Sequence, residues 1–105
     1  MDAFGPALSG LRAASAGLAV QANNVANQLS DGYRAKRVDL AEQPAGGVAV
    51  QGVNAGPSPA VPGGSNVDLA TEMVQGMAMD VMYKANLKVI QSEDQRLKAT
   101  LDLKA

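Results

Sequence analysis

The sequence predicts an all-α fold: two long terminal helices form an antiparallel helical hairpin or coiled coil, joined by a Gly/Pro-rich middle with at most a short β-hairpin. Three observations predict it. Apolar residues recur at alternating three- and four-residue spacing from Pro6 to about Leu29. The same periodicity returns from Asp68 to about Leu103, with no proline in the run and Gly76 its only glycine. Between them, residues 43–65 carry no charge, six glycines and four prolines, so no helix can run through.

The N-terminal helix is expected over about 5–31. Pro6 suits a first helical turn, where its missing N–H is no loss. Leu8, Leu11, Ser15, Leu18, Ala22, Val25 and Leu29 form an a/d row over three heptads. Gly10, Ala14 and Gly17 make an adjoining stripe of small residues that lets another helix approach closely. Gly32 is the expected left-handed residue that ends the segment. At 1.5 Å per residue this helix is roughly 35 Å long.

The connector is expected over about 34–66. Val48, Val50 and Val53 can form a short strand or hairpin arm, and the stretch from Pro57 to Pro62 reads as an extended connection. A linker with marginal β structure is favoured over a folded β-domain. The cluster Arg34, Lys36 and Arg37 has Asp39 and Glu42 close behind and reads as a solvated turn.

The C-terminal helix is expected over about 68–103. Asp68 is a good N-cap and Glu72 favours the positive helix end. Leu69, Met73, Gly76, Asp80, Tyr83, Leu87, Ile90, Asp94, Leu97 and Leu101 keep the heptad spacing, and Val74, Met77, Val81, Ala85 and Val89 form a neighbouring row. The first half is therefore apolar around more of its circumference than one partner helix covers. The second half is a narrower stripe with solvated charges. At roughly 50 Å, this helix is longer than the first, and the pair alone cannot bury both faces. The pattern points to a multi-chain helical assembly and a single domain, residues 1–105.

Composition narrows the function. Hydrophobic residues make up 47% but aromatics only 3%, so the apolar content suits thin helix–helix seams. A net charge of −1 offers no basic field for nucleic acid. The absence of Cys and His rules out disulfides and thiolate or imidazole metal sites. It also leaves a hydrolase only carboxylates, Ser with Lys, or a bound metal. Asp80–Lys84, Glu93–Arg96 and Asp94–Lys98 stand at helical ion-pair spacing and read as surface pairs. No enzyme and no cofactor are expected. No cleaved signal peptide and no membrane-spanning run are visible.

Asn23, Asn24 and Asn27 cluster where the first helix ends. Asn is a weak helix former, so the cluster serves either helix termination or lateral recognition of neighbouring subunits through its amides.

The run Ala22-Asn23-Asn24-Val25-Ala26-Asn27, followed by Ser30-Asp31-Gly32-Tyr33-Arg34, resembles the N-terminal signature of flagellar rod and hook proteins. Leu8-Ser9-Gly10-Leu11 is similar to that family's opening segment. Asn66-Val67-Asp68-Leu69-Ala70-Thr71-Glu72-Met73-Val74 resembles the start of its C-terminal helix, with Tyr83, Ala85-Asn86 and Lys88-Val89-Ile90 continuing the likeness. The nearest likeness is to the short proximal rod protein. The resemblance implies a structural subunit that self-assembles through its terminal helices, with itself and other flagellar rod and axial proteins as partners. It further implies export through the flagellar type III apparatus and a place in the periplasmic rod of the basal body. The expected assembly interface comprises the seam residues Leu11, Leu18, Val25, Leu87, Ile90, Leu97 and Leu101 and the contact residues Asn23, Asn24, Asn27, Tyr83 and Asn86. The alternative is a stand-alone coiled-coil adaptor or rod-like paralogue outside the flagellum.

Overall fold

The computed structural model describes residues 3–59 and 61–104. In chain order these form α1 (Phe4–Ala26), β1 (Lys36–Glu42), β2 (Val48–Ala55) and α2 (Leu69–Lys104). Two terminal helices are present, but the fold is mixed α+β and the all-α expectation is corrected. The connector folds into an antiparallel hairpin with strands of 7 and 8 residues.

The hairpin forms because Val38, Leu40, Val48, Val50 and Val53 supply β-branched or apolar side chains at pairing positions. Val38 faces Val53, and Leu40 faces Val50. Gln51 is the extra residue of a bulge beside Asp39 and Leu40. The turn closes through Gly46 N–H to Gln43 C=O and Gln43 N–H to Gly47 C=O, both at 2.9 Å. Gly46 and Gly47 adopt φ of +97° and +91°, which side-chain-bearing residues rarely reach. Gly47 also passes so close to Ser9 of α1 that a Cβ there would overlap the Ser9 hydroxyl. That hydroxyl accepts the Val48 N–H at 3.0 Å, which fixes the turn end of the hairpin to α1.

α1 stops at Ala26, earlier than the periodicity suggests. The chain turns at once: Asn27 N–H reaches the Asn23 and Asn24 carbonyls, Ser30 N–H reaches Asn27, and Gly32 takes φ +70°. α2 begins as expected. Asp68 accepts the Ala70 N–H at 3.2 Å and the Thr71 hydroxyl at 2.9 Å.

The two helices are antiparallel. Gly10 meets Asn86, Gly17 meets Met79, Gln21 meets Gly76, and Asn24 meets Glu72. Within the chain, the seam is therefore the small-residue stripe, not the leucine row. Ala7, Gly10, Ala14 and Gly17 are buried, and a Cβ at Gly17 would lie 2.6 Å from the Met79 sulfur. Small residues let the backbones approach, and the larger side chains are displaced to the flanks. Leu11, Leu18 and Val25 are half-buried beside the seam, while Leu8 is exposed. Carried on, this register sets Phe4 near Ser92. The last three or so turns of α2 then extend beyond α1, giving a molecule 68 Å long and 14 Å thin.

Candidate functional site

Asn24, Tyr33 and Glu72, from separate motifs of the sequence, converge on one polar clamp. Asn24, at the end of α1, is fully buried and uses every hydrogen-bonding position of its amide. Its Oδ1 accepts the Lys36 N–H and the Tyr33 hydroxyl, both at 2.8 Å. Its Nδ2 donates to the Lys36 carbonyl at 2.9 Å and to Glu72 Oε1 at 2.6 Å. The amide thus reads both backbone groups of Lys36 as a neighbouring strand would, so it caps the outer edge of β1. This donor and acceptor arrangement also fixes the amide orientation, since a flip would set Nδ2 against the Lys36 N–H.

Glu72, in the first turn of α2, is likewise fully buried. Arg37 of β1 grips it with both terminal nitrogens, Nη2 to Oε2 at 2.7 Å and Nη1 to Oε1 at 3.2 Å. Arg37 Nη1 also donates to the Lys36 carbonyl at 2.7 Å. A carboxylate taken from water is tolerable only when paired and hydrogen-bonded, and Glu72 has both Arg37 and Asn24. Burial, and then the nearby Glu72 charge, push the Tyr33 hydroxyl above its ordinary value near 10, so it remains a donor to Asn24.

A second asparagine completes the junction. Asn66 Oδ1 accepts the Ala35 N–H at 2.5 Å, Asn66 Nδ2 donates to Pro57 C=O at 2.7 Å, and Asn66 N–H donates to Tyr33 C=O at 3.0 Å. Arg34 Nε donates to Gly56 C=O at 2.6 Å. The segment from Tyr33 to Arg37 is therefore held between Asn24 of α1 and the Asn66–Glu72 entry to α2. No catalytic constellation arises from this set. The amides of Asn24 and Asn66 and the Glu72 carboxylate are all directed at other parts of the chain.

The expected interface residues separate into four environments. Of Asn23, Asn24 and Asn27, only Asn24 lies in the clamp. Asn23 is exposed and Asn27 half-buried, and they bond each other: Asn27 Nδ2 donates to Asn23 Oδ1 at 2.7 Å and to Asn23 C=O at 2.9 Å. Asn27 Oδ1 accepts the Ser30 hydroxyl at 3.0 Å, which is a local helix-ending arrangement. Leu11, Leu18, Val25, Asn86 and Ile90 are half-buried along the α1–α2 seam, and Asn86 Nδ2 donates back to Met82 C=O at 2.8 Å. Tyr83, Leu87, Leu97 and Leu101 are exposed on α2.

Sequence reasoning missed Arg37 and Glu72 as partners. Arg37 sat in a charge cluster read as a solvated turn, and its carboxylate lies 35 positions away. The available signal was Glu72 itself, the one charge in the run from Leu69 to Met79.

α2 also presents an uncovered face. At 100° per residue, Met73, Met77 and Val81 turn away from the side that meets α1, Val74 lies beside them, and Leu69 and Asp80 stand at the border. Met73, Val74, Met77 and Val81 are 58–67% exposed. The same face becomes polar from Lys84 onward, with Lys88, Gln91 and Gln95. The apolar patch is therefore confined to residues 69–81, where the outward face of α2 is more apolar than the inward one.

No curated protein matches the chain. Residues 63–103 match the protein family described as Flagellar basal body rod FlgEFG protein C-terminal. The match takes in the whole junction from Asn66 through Glu72 and nearly all of α2, and leaves α1 and the hairpin outside it. The match covers under half of the chain and makes its C-terminal helix similar to the C-terminal region of that family.

Proposed function

We propose that this chain is a structural subunit of the flagellar basal-body rod that assembles with itself and with other axial proteins through its terminal helices. The observation that carries the reading is the family match over residues 63–103, on the same helix whose outward face is left apolar over 69–81. A monomer has no use for such a face, and burial on assembly supplies the driving force. The flagellar type III export apparatus is the transport partner this reading requires. The leucines of the overhanging end of α2, Leu97 and Leu101, would find their contacts on neighbouring subunits. Asn23, Asn27, Tyr83 and Leu87 are the exposed or part-exposed side chains best placed to distinguish one neighbour from another.

A clean deletion tests this reading, scored for motility and for basal-body completeness by electron microscopy. Loss of motility with basal bodies that stop short of a complete rod is expected, restored by the gene in trans. Full motility with complete basal bodies would overturn the reading and favour an adaptor acting elsewhere.

A further inference from the structure

The chain has no cysteine, so the thiol that an oxidant ordinarily reaches first is absent. Its oxidisable sulfur is thioether, and four of the five methionines crowd into residues 73–82 of α2. Folding sorts these four into two pairs. Met79 and Met82 are half-buried, and the Met79 sulfur rests against Gly17, where a Cβ would lie 2.6 Å from it. Met73 and Met77 are 58% and 67% exposed and stand one turn apart on the outward face. Val74 and Val81 flank them, and Asp80 at the border is tied to Lys84 at 2.9 Å. The two longest side chains at the centre of the apolar patch are thus thioethers open to solvent.

We infer that Met73 and Met77 form a reversible oxidation site whose state sets whether the outward face of α2 is apolar. The co-reactant is a two-electron oxygen donor of the hydrogen peroxide class. A sulfur lone pair attacks one peroxide oxygen, the S–O bond forms and the O–O bond breaks. The sulfur gives up two electrons, and the other peroxide oxygen leaves as water after proton transfer. A dithiol reverses the step: it becomes a disulfide, the sulfoxide oxygen leaves as water, and the thioether returns. With no cysteine of its own, this chain must take that dithiol from a separate reductase. Each sulfoxide replaces a weakly polar sulfur with a strong hydrogen-bond acceptor, so covering the face then strands a polar group. Two sulfoxides one turn apart act on the same patch. The seam sulfur of Met79 is shielded by its packing on Gly17, so the fold outlasts the change on its surface. The consequence for assembly rests on the rod reading: a chain oxidised beforehand is kept out, and a chain whose α2 face is covered is protected from oxidation.

The test uses the full chain at low concentration, treated with hydrogen peroxide, quenched at intervals, digested and read by mass spectrometry. Met73 and Met77 should convert about fivefold or more faster than Met79 and Met82. In urea the four should convert at one rate, because the fold sets the order. When only the exposed pair is oxidised, circular dichroism should be unchanged while retention on a hydrophobic-interaction column falls. A methionine sulfoxide reductase with its dithiol donor should restore that retention. The double variant Met73→Leu, Met77→Leu keeps the face apolar without sulfur, so its retention should not respond to peroxide. Equal rates for all four methionines in the folded chain would overturn the inference. So would unchanged retention in oxidised wild type, or an equal fall in the leucine variant. None of these readouts needs assembly, so the site stands or falls apart from the rod reading, which the deletion strain decides.

Discussion

Asn24 is the residue on which the chain's three parts depend. Helix propensity favours Ala at its position by a few tenths of a kcal/mol. The structure reverses that balance, because Asn24→Ala leaves Lys36 N–H and the Tyr33 hydroxyl without their partner and leaves Lys36 C=O and Glu72 Oε1 to Arg37 alone. At about 1–3 kcal/mol per stranded group, and allowing for relaxation, urea unfolding should show a loss of about 3 kcal/mol. Asn27→Ala should cost less than about 1 kcal/mol, since its bonds are local and near the surface. Equal effects from the two would remove the distinction between a clamp residue and a helix-ending residue. Tyr33 adds a pH dependence. Its hydroxyl is raised above its ordinary value near 10 by burial and by Glu72. The contribution is thus full below pH 10 and lost as pH rises through the higher folded value. Stability followed from pH 8 to 12 should fall more steeply in wild type than in Tyr33→Phe.

The elements are set by close approach as much as by propensity. At Gly17, a Cβ would lie 2.6 Å from the Met79 sulfur, so Gly17→Leu must push α1 and α2 apart or expel Met79. A loss of about 2–3 kcal/mol is expected in urea unfolding, whereas Ser15→Leu on the exposed flank should cost little. At Gly47, positive φ and the Ser9 hydroxyl both oppose a side chain. Gly47→Ala should cost about 1–2 kcal/mol and speed hydrogen exchange at the Val48 amide, whose acceptor is Ser9. The helices were legible from sequence because their periodicity is local, as was Asp68 as the cap of α2. β1 was not, because its alternation of Val38 and Leu40 with Arg37 and Asp39 resembles a charged surface turn until β2 pairs with it. The seam was legible only in part. The stripe of Gly10, Ala14 and Gly17 was visible as a place of close approach, but heptad spacing gave the leucines equal claim. Spacing alone does not say which row meets the chain's own second helix. The clamp was unreadable as a unit because the partners of Asn24 lie 9 to 48 positions from it. The motif residues Asn24, Tyr33, Asn66 and Glu72 stood out one by one, without a sign that they touch.

At the scale of the whole molecule, the interior is thin. The buried apolar side chains among the described residues are Ala7, Ala13, Ala14 and Ala35, and the largest fully buried side chains are Asn24 and Glu72. Such a chain gains little from burial by itself, so its stability rests on the clamp and on what covers its outer faces. The unfolding midpoint of the isolated protein should rise with protein concentration, as it does when association stabilises the folded state. A midpoint constant over a hundredfold range would mean that the folded monomer is self-sufficient. Replacing residues 55–64 with a Gly/Ser linker keeps the backbone groups of Gly56 and Pro57 positions that Arg34 and Asn66 contact. Assembly should survive that exchange better than it survives changes on α2. If this chain is built into the flagellar rod, as proposed, it must travel with basal bodies on fractionation. In a strain whose deletion is complemented by a tagged copy, the tagged chain should remain with purified basal bodies after detergent and salt extraction, at a fixed ratio to other axial proteins. Its recovery only in the soluble fraction, with intact basal bodies lacking it, would contradict the account.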